Sequence, residues 1–233
     1  MPNNTEKDEA PKQPNKCADP IKEYGSEALP QTGEDPIYII NIIGEIEGHM
    51  MLPPQSKATK YEHIIPQLES IEQSKTIQGF VIVMHTMGGD VEAGLAIAEM
   101  IRGMKKPSVS LVLGGGHSIG IPLAVSADYS FISPTSTMTV HPIRMNGLVI
   151  GVYQTYEYFK KMQERLTNFV CANSKISKED FDRLMLNKNE LTTDIGTILI
   201  GKQAVDIGLI DEMGGIEDAI AKISQMTGVA PES

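Results

Sequence analysis

The stretch PSVSLVLGGGHSIGIPLAVSA, residues 107–127, decides how the rest of the chain is read. It holds 21 residues without Asp, Glu, Lys or Arg, long enough to raise the question of a membrane span. Three consecutive glycines (Gly114, Gly115, Gly116), then Gly120 and Pro122, argue against one, because they break the helix that a bilayer demands. The pattern predicts a buried strand over 108–113, a glycine turn, and a buried helix over 118–127. Ser118 then stands at a sharp strand-to-helix turn.

Outward from this stretch, strands and helices alternate. Residues 37–43 (IYIINII) form a β-branched run closed by Gly44, which predicts a strand buried on both faces. Over 61–71 the apolar positions Tyr61, Ile64, Ile65, Leu68 and Ile71 trace a helical stripe, with Pro66 inside it. A continuous apolar strand is predicted at 79–84, a turn at 85–89, a helix at 91–104 and a short strand at 129–132. Such alternation predicts right-handed crossovers and a mainly parallel sheet, hence an α/β fold. Over 152–173, Val152, Tyr156, Phe159, Met162, Leu166, Phe169 and Val170 share one helical stripe. Two readings of that long helix stand side by side: an arm for subunit contact, or a helix packed on its own sheet.

Charge sets the outer boundary. The chain carries a net −10, and its basic residues do not cluster, so a nucleic-acid partner is not expected. Residues 1–36 combine four lysines with eight acids and six prolines but almost no large hydrophobes, which predicts a disordered acidic tail. The folded body is expected over 37–225, with a flexible C-terminus at 226–233. Cys17 and Cys171 fit no metal-ligand spacing and no disulfide scaffold, so neither a metal nor a cofactor is expected. No basic segment followed by an apolar run opens the chain, and the expected location is cytoplasmic.

Chemistry concentrates at Ser118. Residues 116–120, Gly-His-Ser-Ile-Gly, match the Gly-x-Ser-x-Gly elbow, which exposes a serine hydroxyl beside the next amide, that of Ile119. The competing reading is a serine that merely caps the following helix. A serine nucleophile needs a base. Of His49, His63, His85, His117 and His141, the last stands at a strand end next to Pro142 and is one of two or three plausible bases. The pair Gly88-Gly89 sits at the mouth of its own strand. Two glycine-rich strand ends side by side suit an oxyanion, a phosphate or close helix–strand packing alike.

Four separated blocks then carry a resemblance: Gly88-Gly89-Asp90-Val91 with Ala93-Gly94, Ser118-Ile119-Gly120, Met138-Thr139-Val140-His141-Pro142, and residues 204–211 (AVDIGLID). In order and approximate spacing, over roughly 37–220, they resemble the ClpP serine peptidases, and within that family most of all its translocation-enhancing group. The resemblance implies a ClpP/crotonase-like spiral of ββα units with a protruding handle helix, the handle segment covering about 143–190. It implies Ser118 as nucleophile, His141 as general base and an oxyanion hole from the amides of Gly89 and Ile119, with substrate backbone lying along Gly88 and Val91. For the third triad member it implies Asp194, with Asp182 and Glu190 in reserve, since the segment after His141 is longer than the family pattern. The implied partners are a polypeptide substrate and further copies of the chain in a hexameric or heptameric ring, single or stacked. The family's aromatic pocket for an unfolding ATPase maps onto Val81, Val83 and Gly103, which implies a poorer dock for a Clp-type ATPase. Two other readings remain: a catalytically silent ring or adaptor, and a crotonase-type acyl-CoA enzyme. A Ser–Lys peptidase is disfavoured because no lysine stands out as base.

Overall fold

Parallel strands require crossovers, and the helical stripes between the apolar runs supply them. The structure is a computed structural model that describes residues 35–144, 151–187 and 195–229. In chain order the elements are β1 (Ile37–Glu47), β2 (Ala58–Lys60), α1 (Tyr61–Gln73), β3 (Gly79–Gly89), α2 (Val91–Gly103), β4 (Ser108–Gly116), α3 (Gly120–Val125) and β5 (Tyr129–Ile132). There follow β6 (Thr137–Val140), α4 (Val152–Ala172), α5 (Lys178–Met185), β7 (Thr197–Ile200), α6 (Lys202–Asp206), β8 (Glu212–Met213) and α7 (Ile216–Thr227). The strand order is β2-β1-β3-β4-β5-β8, parallel throughout. Strand β6 branches off the end of β4 through the single pair Gly115–Thr137, and β7 runs antiparallel to β6.

The period of two along β3 and β4 divides the core between two faces. Phe80, Ile82 and Met84 point to the larger cluster with Leu68 of α1, Ile97 and Ala98 of α2, and Leu123 of α3. Val81, Val109 and Leu111 point the other way and are covered by Ala219 and Ile223 of α7. Val81 therefore belongs to a closed packing layer rather than to an open pocket; Val83 lies at its margin and Gly103 is exposed. The uncharged stretch at 107–127 is β4, the elbow and α3. Among the described residues no helix is long and apolar enough to cross a membrane.

Several elements depart from expectation for identifiable reasons. Strand β1 continues past Gly44, which adopts φ +87° at a register shift between Ile43 and Glu45. A Cβ there would lie 2.2 Å from the Lys57 carbonyl, so glycine lets the next segment close in while the strand goes on. Nor is β1 buried on both faces: Ile40 and Ile42 are buried, whereas Ile43 is 50% exposed. The glycines after β3 and β4 extend those strands instead of turning them, with Gly89 paired to Ile46 and Gly116 to Thr86. Helix α3 begins at Gly120 rather than Ser118, because Ser118 has φ +56°, outside the right-handed helical region. In the long helix α4, Leu166, Phe169 and Val170 are buried against the body, whereas Val152 and Tyr156 on the same stripe are exposed, so packing on its own body accounts for the C-terminal half alone.

Neighbouring residues of β1 test this one-sided burial. Ile42→Ala is expected to cost about 2–5 kcal/mol in denaturant unfolding, as for a core isoleucine, and Ile43→Ala less than about 1 kcal/mol. Equal losses at the two positions would contradict the assigned faces.

Candidate active site

The ends of β3 and β4 meet at Ser118. The Ser118 Cβ lies where any side chain on Gly88 would have to go: a Cβ on that glycine, which has φ +96°, would sit 2.7 Å from it. Thr86 holds the approach together. Its hydroxyl donates to the Gly44 carbonyl at 2.6 Å and accepts the Gly88 amide at 3.1 Å, while its carbonyl accepts the His117 amide at 3.1 Å. Buried hydroxyls are retained where main-chain groups need partners, and here one threonine serves three segments.

Around the elbow the main-chain amides are nearly all engaged. Ser118 N–H donates to the Thr139 carbonyl at 3.0 Å, Gly120 N–H to His117 at 2.8 Å, and Ile121 N–H to Ser118 at 2.9 Å. The amide of Ile119, between them, has no protein acceptor among the described residues. A buried donor left open beside a serine hydroxyl is what an oxyanion site needs. Gly94 keeps Ile119 in place, since a Cβ there would lie 2.3 Å from the isoleucine side chain.

Gly89, Val91, Ser118 and His141 line one cleft of about 130 Å³. His141 follows directly on β6, and its Nδ1 donates to the Pro142 carbonyl at 2.7 Å. A carbonyl can only accept, so Nδ1 carries a proton, and in the neutral ring the lone pair a base requires is then on Nε2. His117, adjacent to the serine, has its pKa held below the usual imidazole range by burial first, then by the charges of His85 and His141. Among the described residues no group of three or more His, Cys, Asp or Glu is arranged to hold a metal ion.

The structure thus gathers Gly88, Gly89, Val91, Ser118, Ile119 and His141 at one place. Asp194 and Glu190 lie outside the described residues. Asp182 sits on α5, away from the cleft lining, where its charge acts with burial to raise the pKa of the Cys171 thiol. The sequence alone did not single out the rest of the lining. Ile143 and Arg144 follow His141 directly, and Leu166 and Phe181 come from α4 and α5. The helical stripe over 152–173 signals burial for Leu166 but not what it is buried against.

One further contact frames the cleft. Arg165 on α4 forms two hydrogen bonds to Glu92 on α2, at 2.7 and 2.9 Å. The Arg165 hydrogen bond holds the Glu92 carboxyl below its usual range. Val91 and Leu166, the neighbours of these two residues, both face the cleft. Both partners are about half exposed, so the pair contributes little to stability and acts chiefly as a geometric tie.

Known proteins are similar to this chain in sequence. The model of the Clp protease family matches residues 34–217. Translocation-enhancing protein TepA of Halalkalibacterium halodurans is 57% identical over 213 residues, 91% of this chain and 83% of that protein. ATP-dependent Clp protease proteolytic subunit 2 of Treponema denticola is 31% identical over 155 residues, 65% of this chain and 74% of the subunit. The corresponding subunit of Lactococcus lactis subsp. cremoris is 26% identical over 157 residues, 64% of this chain and 74% of the subunit. The glycine-lined strand ends, the serine elbow and the histidine strand all fall inside the matched segment, and the chain belongs to the Clp protease family.

Proposed function

We propose that the chain is a serine endopeptidase that cuts polypeptides through Ser118 and His141. The observation that carries this reading is the elbow itself: Ser118 is held at φ +56° against Gly88, in one cleft with a histidine whose Nδ1 carries a proton, which makes Nε2 the basic nitrogen of the neutral ring. A non-glycine residue in that region costs about 1–3 kcal/mol, a strain expected where function requires it. In the reaction Ser118 Oγ attacks the scissile carbonyl carbon while His141 Nε2 takes the hydroxyl proton. The carbonyl π electrons move onto oxygen, which the amides of Gly89 and Ile119 stabilise. Collapse expels the amine, which receives the proton from His141, and water then hydrolyses the acyl-serine by the same route. Substrate backbone lies along Gly88–Val91 as an added strand. Asp194 is our choice for the group that steadies the imidazolium.

A second reading has one observation in its favour. Nδ1 of His141, the atom a triad acid must reach, is engaged by the Pro142 carbonyl. A silent ring or adaptor would tolerate that arrangement. The two readings diverge in reactivity and not in shape. The name of the Halalkalibacterium relative supports a role connected with protein translocation, and the cytoplasmic location stays part of the same proposal. In assembly, the exposed half of α4, with Tyr153 and Tyr156, is the part we assign to contacts between copies in a ring.

Three outcomes are expected. A fluorophosphonate probe labels the assembled protein and Ser118→Ala abolishes the signal; an intact oligomer that stays unlabelled would favour the adaptor. Gly88→Ala drives a Cβ into Ser118 and lowers the labelling rate by at least about tenfold, while circular dichroism still reports a folded chain. Replacing Tyr153 and Tyr156 by alanine reduces the mass seen by light scattering, and an unchanged mass would remove the handle from the assembly.

A further inference from the structure

The elbow carries a second histidine that the proposed chemistry leaves unused. His117 is half-buried, and its Nδ1 lies 3.1 Å from the main-chain N–H nitrogen of Thr139 and 2.8 Å from the Thr139 hydroxyl. A main-chain N–H only donates, so Nδ1 holds a lone pair and the ring proton is on Nε2. Thr139 returns a bond, its carbonyl accepting the Ser118 amide at 3.0 Å. Two consecutive elbow residues therefore grip one residue of β6, one by side chain and one by main chain. Thr139 stands two places before His141, and the strand period puts the two on the same face. The grip matters because, among the described residues, the backbone ladder between β6 and β4 consists of the single pair Gly115–Thr137.

We propose that His117 is a positioning residue whose neutral ring clasps the elbow presenting Ser118 to the strand presenting His141. The consequence for turnover rests on the peptidase reading; the clasp itself does not. A doubly protonated ring has an N–H at each nitrogen, and its Nδ1–H would face the Thr139 N–H, so charging His117 opens the clasp. The titratable groups acting on it are His85 within β3 and His141 directly after β6. From β4 comes Gly115, where even a Cβ would lie 2.7 Å from Nε2. Burial and the two neighbouring rings favour the neutral form, which lowers the folded pKa. The unfolded chain then binds the extra proton more readily. The clasp's stabilisation is complete above the ordinary imidazole pKa and is lost as pH falls through the lowered folded value.

The test uses the full-length assembled protein. Nitrogen-detected NMR of the imidazoles in the Ser118→Ala protein should give, for His117 at neutral pH, a bare Nδ1 and a protonated Nε2; a proton on Nδ1 would overturn the clasp. His117→Phe should slow fluorophosphonate labelling and kcat on a fluorogenic peptide by about tenfold or more, with KM within about twofold. His117→Asn, whose amide oxygen can accept from Thr139, should restore the rate to within about threefold and make the acid limb of the pH profile less steep by one proton. A His117→Phe protein as reactive as the parent, or an Asn variant no better than Phe, would sink the proposal. If the parent protein itself does not label, the peptidase reading fails while the NMR result still decides the clasp.

Discussion

The site depends on one close approach, that of Gly88 to Ser118. Two neighbouring parallel strands end close together, and a side chain on Gly88 of β3 would run into Ser118 just past β4, while one on Gly89 would run into the Ile46 backbone of β1. The end of β3 is therefore glycine for a steric reason, and Thr86 is buried beside it for a polar one. Parallel strands naturally leave their carboxyl ends side by side, where turns and helix starts can present groups to a ligand. What is particular to this chain is that the turn after β4 is forced into the left-handed region at a serine. Helix α3, starting only at Gly120, follows from that geometry.

Much of this was legible in advance, because the signals are local. The helices at α1 and α2, the strand β5 and the placement of Ser118 and His141 at element ends follow from apolar period and turn residues. Glycine is where sequence and structure part most. Gly44, Gly89 and Gly116 read as stops, but each lies within a strand or at its paired end, because glycine also marks where a neighbouring backbone comes close. The run 37–43 reads as buried on both faces because it is rich in isoleucine, yet on the second face the cluster with Ala219 and Ile223 takes in Ile37 and Ile39 and leaves Ile43 exposed. Beta-branched residues favour a strand without saying how many of its faces are covered.

The least legible part is the cooperation among distant residues. In the sequence His117 is one histidine among five, and nothing local tells what its ring meets, which is Thr139, 22 positions later. Leu166 and Phe181 likewise reach the cleft only because α4 folds back over α3 and is tied there by Arg165 and Glu92. Such contacts depend on tertiary closure, which no periodicity encodes.

The branching of β6 from the main sheet has a thermal consequence. The nucleophile belongs to a six-stranded parallel array, whereas the histidine follows a two-strand branch whose ladder pair with that array is Gly115–Thr137, and whose Met138, Val140 and Leu199 are buried in the main core. With so little ladder pairing, the branch is held mainly by that packing and by its bonds to Gly114 and to the elbow. The alignment of Ser118 with His141 on heating is therefore set by how long Met138 and Val140 stay packed, and the cleft and the core under it lose order together.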